Sequence, residues 1–247
     1  MKTILITGGT GLVAKAQVQY LLDKGYRVVI TYRSDEKLKA AGFSGNLVAV
    51  RIDDFLAEDA VGGLIDELAK RDCLPDVLVN NACDGRWHYM ERDGHVSEEC
   101  FLNHYRINVV VPYELSWRLV NREKSRLTKI INVSSMYGVV PHNPNLYLNP
   151  EVETPLQYSL AKAALNHLTK DLAVRFRDKG VFVNAISYGG VEGRVDESFK
   201  KRFEILTPLR RMMKPEETIP ALQFLIEDDS GYMTGQNIIV DGGRTIW

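Results

Sequence analysis

Long apolar runs are missing from this chain of 247 residues. Its N-terminal stretch Thr3-Ile-Leu-Ile-Thr7 passes directly into glycines, too soon for a signal-peptide core or a membrane span. Cysteine is scarce. Cys73, Cys83 and Cys100 form no disulfide framework and fit no zinc-ribbon spacing, so a reducing, cytoplasmic setting is expected. An excess of one charge is also missing: 31 basic and 32 acidic residues give a net charge of -1. Neither nucleic acid nor a membrane surface is therefore an expected partner. Internal repeats, low-complexity tracts and linker-like stretches are absent too, leaving one globular domain over 1–247 that serves a small-molecule substrate.

Strand-like apolar segments alternate with helical patterns along the whole length. The strands read as 3–7, 27–31, 47–52, 77–80, 129–133, 181–186 and 237–240, and the helices as 12–24, 58–71, 98–121, 155–178, 196–206 and 216–227. Continuous apolar strands separated by helices mean a parallel sheet covered on both faces. The fold class is therefore α/β, a doubly wound, Rossmann-type sheet whose ligand lies at the strands' carboxyl ends.

The first strand leads into Thr7-Gly-Gly-Thr-Gly-Leu-Val-Ala14 and then a helix. Glycines let the backbone approach a pyrophosphate, and the following helix terminus offers N–H groups and positive partial charge. Gly8, Thr10, Gly11 and Leu12 are the cofactor candidates in this turn. At the tip of the second strand an acid usually holds the ribose of NAD. Here Arg33 and Ser34 stand instead, and a guanidinium suits a 2′-phosphate. NADP(H) is the expected cofactor, with NAD(H) possible. Asp53 and Asp54 follow the third strand, placed to accept from an adenine amino group or to cap a turn.

The loop 84–95 carries Asp84, Arg86, Trp87, His88, Tyr89, Arg92 and His95. Cys100 and His104 share a helix face near His95, but no fourth ligand is evident and no metal is expected. Asn108 sits in an apolar helical stretch and needs partners for its amide. A proline- and asparagine-rich loop, 139–155, precedes Tyr158-Ser-Leu-Ala-Lys162. A tyrosine and a lysine four apart share one helix face. An ammonium nearby favours the phenolate, bringing a phenol that titrates near pH ~10 toward useful acid–base work.

Together these features resemble the short-chain dehydrogenase/reductase family, classical type. The matching residues are the glycine turn, Asn80-Asn-Ala82, Asn108, Ser134-Ser135, Tyr158 with Lys162, Asn184-Ala, and Thr234-Gly-Gln with Val240-Asp-Gly-Gly243. The resemblance implies a catalytic tetrad of Asn108, Ser135, Tyr158 and Lys162. Tyr158 would exchange the proton with the substrate oxygen, Ser135 would hydrogen-bond that oxygen, Lys162 would hold the nicotinamide ribose, and Asn108 would hold a water. It also implies cofactor contacts at Asn81, Ala82, Gly189 and Val191. Departures lie at Cys83, Tyr188 and Gly193, where the family more often has glycine, proline and threonine.

Trp87, Tyr137, His142, Tyr188 and Arg194, with Ser135, are the expected substrate contacts. Aromatic faces with hydrogen-bonding tips suit a carbohydrate-type ketone or alcohol, and the chain is similar to members found in bacterial surface-sugar pathways. A 3-oxoacyl thioester reductase is the alternative enzyme, and a non-catalytic dinucleotide-binding regulator the alternative of another class. Apolar faces on the helical patterns 98–121 and 155–178, with the resemblance, imply a homo-oligomer, tetramer or dimer.

Overall fold

Seven short apolar segments become strands because a run that is apolar on both sides has no face to offer solvent. They are β1 (Thr3–Ile6), β2 (Arg27–Tyr32), β3 (Leu47–Arg51), β4 (Val77–Asn80), β5 (Lys129–Ser135), β6 (Phe182–Tyr188) and β7 (Asn237–Val240). The structure, a computed structural model, describes residues 1–193 and 195–247. All pairings are parallel, in the order β3-β2-β1-β4-β5-β6-β7. The sheet is α/β and doubly wound, and its order reverses between β1 and β4, the switch point where such folds bind ligands.

The helices are α1 (Leu12–Asp23), α2 (Asp35–Ala41), α3 (Ala60–Lys70), α4 (Glu98–Tyr105), α5 (Val111–Val120), α6 (Pro150–Glu153), α7 (Leu156–Arg175), α8 (Glu197–Ile205) and α9 (Ile219–Glu227). Alternate strand residues feed opposite faces of the sheet. Leu5, Leu78 and Ile130 join Leu64, Leu115 and Leu172 on one side. Ile4, Val79 and Ile131 join Val18, Leu21 and Leu225 on the other. Each such side chain contributes about 1.5–3 kcal/mol by leaving water. No helix is long and apolar enough to cross a membrane among the described residues.

The helical pattern 98–121 does not run unbroken. Between α4 and α5 lies a single wide π-helical turn, Arg106–Val110, and Pro112 stands in the first turn of α5. Proline has no N–H for the carbonyl of residue 108, and its ring crowds that carbonyl. Widening the turn relieves the conflict. Asn108 is carried in that turn, buried.

Candidate active site

The switch point is tied together by one hydroxyl. Thr7 Oγ1 accepts from the N–H groups of Asn81 and Ala82, both at 2.9 Å, and Asn81 Nδ2 donates to the Thr7 carbonyl at 2.9 Å. Gly8 has φ +67, and a Cβ there would stand 3.1 Å from Ala82 Cα. A Cβ on Gly9 would collide with Ile30 at 2.5 Å. Only glycine lets the turn lie this close to β2 and β4. Gly11 then serves as the N-cap of α1 without a side-chain partner, which leaves the helix terminus open to an anion.

Beside this turn runs a cleft of about 910 Å³, the size that small-molecule cofactors occupy. Gly8, Thr10, Gly11 and Leu12 line one wall; Arg33, Ser34, Asp53 and Asp54 line its outer end; Asn81 and Ala82 line the floor. Gly193 completes the lining. Gly189 instead borders a separate small cavity, and Val191 pairs with Met213 in an isolated bridge. The glycine cradle, the open helix terminus and the cleft all fit a dinucleotide.

At the outer end, charge is arranged around a buried acid. Asp84 Oδ2 accepts from Arg33 Nη1 at 2.8 Å and from Arg86 Nη2 at 2.6 Å, and Arg86 also reaches Asp54 at 3.3 Å. Burial works against the Asp84 charge, but the hydrogen bonds of Arg86 and the neighbouring guanidinium of Arg33 outweigh it and hold the carboxyl below its usual range. Lys15 and Lys37 line the same end. Ser34 caps α2, its Oγ accepting from Lys37 N at 3.2 Å. Asp53 is drawn outward to Arg51 at 2.7 Å.

At the inner end, four side chains from three elements converge. β5 delivers Ser135, whose Oγ accepts from Tyr137 N at 3.2 Å and also hydrogen-bonds the Tyr158 hydroxyl. α7 delivers Tyr158 and Lys162. Lys162 is buried, donates to the Val133 carbonyl at 2.9 Å and stands 5.8 Å from the centre of the Tyr158 ring. α7 is held against β5 closely enough that a Cβ on Gly138 would strike the Lys162 backbone at 2.8 Å. The π-turn delivers Asn108, whose Nδ2 donates to the His104 carbonyl at 2.9 Å, while its Oδ1 is buried and unpartnered.

The electrostatics differ from the expected lowering of the phenol. Burial pushes Tyr158 above its ordinary value; the Ser135 hydrogen bond opposes this. Burial also lowers Lys162. Enclosure dominates over the ammonium here, so the phenol keeps its proton.

The first turn of α7 also organises the loop after β4. Gln157, buried, donates from Nε2 to the carbonyls of Trp87 and Tyr89 at 2.9 and 3.0 Å, and the Cys100 thiol meets the same Trp87 carbonyl at 3.2 Å. This pins His88 edge-on to Tyr158, with ring centres 4.9 Å apart. Cys100 thus serves the loop and not a metal; the residues that do converge are Cys83, His88 and His104. Burial lowers His104 to about 3, which keeps its imidazole neutral.

On the substrate side, Tyr137 stacks on His142 with ring centres 3.8 Å apart, and its hydroxyl meets that of Tyr147 at 2.7 Å. The 139–155 loop is packed, not loose: Leu146 is fully buried with Met136, Phe203 and Met212, and Arg202 Nε donates to its carbonyl at 2.7 Å. Tyr188 does not belong to this wall. It is buried, donating to the Thr218 carbonyl at 2.6 Å and accepting from Gln17 Nε2 at 3.2 Å. Tyr188→Phe should therefore lower unfolding free energy by about 1–3 kcal/mol in a urea titration, with the KM of a substrate unchanged. Arg194 lies outside the described residues. Arg244 was not foreseen: it is buried, its Nε has no partner, and its charge is close enough to favour the ionised forms of Tyr137 and Tyr147.

Comparisons with known proteins agree with this geometry. Residues 12–245 match the family profile described as enoyl-(acyl carrier protein) reductase. The chain is 28% identical to glucose 1-dehydrogenase 2 of Bacillus subtilis, covering 100% of this chain and 95% of that one. It is 29% identical to the 3-oxoacyl-(acyl-carrier-protein) reductase FabG of Thermotoga maritima, covering 99% and 98%. Among solved structures, a 4-hydroxyisoleucine dehydrogenase complexed with NADH superposes over 100% of both chains, with a TM-score of 0.85 and 25% identity. A strand–glycine–helix cradle at the switch point and a Ser–Tyr–Lys cluster below it, on a chain matched end to end, lead to one assignment: the chain belongs to the short-chain dehydrogenase/reductase family, nicotinamide-dependent oxidoreductases acting on CH–OH and C=O groups.

Proposed function

We propose that this protein interconverts a ketone and a secondary alcohol on a carbohydrate-type substrate, using NADP(H) and Tyr158 as acid–base. The observation that carries this reading is the convergence of Ser135, Tyr158 and Lys162 at the inner end of the cleft, beside a wall of hydroxyl- and imidazole-bearing rings. When bound, the nicotinamide supplies or accepts the hydride. In the reducing direction, Tyr158 gives its proton to the carbonyl oxygen, and Ser135 donates to the same oxygen as negative charge develops. Lys162 would hold the ribose hydroxyls, and the Ser135 hydroxyl opposes the burial that raises the phenol. Asn108 turns its unpartnered Oδ1 toward a water in a relay to solvent.

The polar wall argues for a polyol or sugar, and the glucose dehydrogenase among the relatives supports it. An acidic sugar suits Arg244, a buried cation whose Nε lacks a partner. The second reading, a 3-oxoacyl thioester reductase, is favoured by the family profile and the Thermotoga relative. Incubating the protein with NADPH and a panel of sugar ketones, acidic sugars and 3-oxoacyl thioesters separates the two. Oxidation confined to the thioesters would replace the carbohydrate reading.

Cytoplasmic residence and assembly into a dimer or tetramer belong to the same proposal. Leu102 and Trp117 on α4 and α5, and Leu156, Leu160 and Val174 on α7, are exposed, as are Ile246 and Trp247 at the C-terminus. Exposed apolar faces on neighbouring helices mark a self-association surface. Light scattering at micromolar concentration should return a multiple of 27.9 kDa, and a strictly monomeric mass would reject this assembly.

A further inference from the structure

We propose that Cys83, His88 and His104 bind a soft divalent transition metal, zinc above all, and that the bound metal silences the enzyme by taking the Tyr158 oxygen as a further ligand. The ligand atoms of the three side chains all lie within 4.8 Å of one another, and Cys83 Sγ is 3.5 Å from His88 Nε2. Zinc bonds of ~2.0–2.3 Å set tetrahedral neighbours roughly 3.3–3.8 Å apart, so closing the cluster takes shifts of about an ångström. Cys83 stands on the exposed side of the loop, where such a shift meets little resistance.

The donor chemistry selects the metal. Two imidazoles and a thiolate suit zinc, copper, nickel or cobalt and reject magnesium and calcium, which require oxygen. His104 comes ready for the task. It is fully buried, its Nδ1 has no hydrogen-bond partner, and its Nε2 meets only Asn108 Nδ2 at 3.1 Å. That amide also donates to the His104 carbonyl, so it stays anchored to the helical turn when a metal displaces it from Nε2. Three protein ligands leave one position open. The Tyr158 hydroxyl is the oxygen we assign to it: the Tyr158 ring lies 4.9 Å from the His88 ring and 5.8 Å from the His104 ring, centre to centre, and Cys83 is close enough to act on the phenol.

Binding is an exchange of protons without redox change. The Cys83 thiol and the Tyr158 phenol each lose a proton to solvent, and a metal–sulfur and a metal–oxygen bond form. A phenolate held this way has no proton to give a carbonyl, and Cys83 also lines the cofactor cleft. The silencing half rests on the role proposed above for Tyr158; the binding half does not.

The test is a titration of the full, freshly reduced chain with cobalt(II), followed by displacement with zinc. The expected result is one equivalent of tetrahedral cobalt with a sulfur-to-metal charge-transfer band. Cys83→Ser should abolish that band, and His88→Gln should weaken the visible bands and raise the metal's Kd at least about tenfold. Zinc should stop NADPH oxidation by the unaltered protein, a chelator should restore it, and magnesium should do nothing. His104→Gln is a third variant, checked for folding by circular dichroism; if it misfolds, the first two decide. Absence of tetrahedral bands, or bands that survive Cys83→Ser, would overturn the site, since the metal would then be on Cys73 or Cys100 or nowhere. Tetrahedral bands with turnover unaffected by zinc would overturn the silencing and keep the site.

Discussion

Tyr158→Phe should lower kcat by about 10²–10⁴-fold, the range that a general acid contributes, while the Kd for NADPH stays near its original value. The substitution is a narrow one. Phenylalanine keeps the ring that packs edge-on against His88 and His104, so the loop after β4 retains its support. What disappears is the hydroxyl, and with it the hydrogen bond to Ser135 and the proton itself. Lys162 keeps its bond to the Val133 carbonyl, so its position does not depend on the lost group. Retention of more than about a tenth of kcat would mean that another group delivers the proton. The nearest imidazole is His88, and Tyr158→Phe combined with His88→Gln would then identify the donor.

Arg33→Ala should weaken NADPH by about 1.5–3 kcal/mol, the worth of a hydrogen bond to a charged group, or roughly 10–150-fold in Kd, and leave NADH nearly untouched. The structure makes this variant safe to interpret. Asp84 is 4% exposed at its side chain and Arg33 52%, so the arginine is the solvent-facing member of the pair. Removing it does not strand the acid, because Arg86 still meets Asp84 at 2.6 Å. Fluorescence titration with both cofactors gives the answer in one experiment. Equal losses for NADPH and NADH would show that Arg33 supports the loop through Asp84 and does not read a 2′-phosphate. The NADH-bound structural neighbour makes that comparison worth doing before any kinetic work.

The scaffold was readable in the residues because its signal is periodic and local. Each of the seven apolar segments became a strand, and β5 and β6 run on through Ser135 and Tyr188, past the point where the apolar run ends. That extension caused the misplacement of Tyr188 in the substrate wall. Tyr188 reads as a polar-tipped aromatic at a strand's carboxyl end, yet its hydroxyl finds Thr218 and Gln17 from elements about 30 and 171 residues away. Nothing local encodes that pairing. The π-turn at Asn108 was encoded, in Pro112 four residues on, but the apolar periodicity of 98–121 masked it.

The Cys83, His88 and His104 cluster was beyond local reading for a different reason. Its members sit on a loop and a helix whose relative placement depends on Gln157 and Cys100 gripping the carbonyls of Trp87 and Tyr89. Side chains that act by holding backbone carbonyls carry no motif. Arg33 shows the intermediate case: its place at the β2 tip was legible, and its anchorage on Asp84 was not.

The most direct test of the account follows a labelled hydride. The protein is incubated with NADPH deuterated at the transferable position of the nicotinamide and with carbohydrate-type ketones, acidic sugars included, and the products are weighed by mass spectrometry. The account predicts one deuterium on the new carbinol carbon, formed in step with cofactor oxidation and lost together with it in Tyr158→Phe. Tight NADPH binding with no deuterated carbinol from any carbohydrate ketone would contradict it.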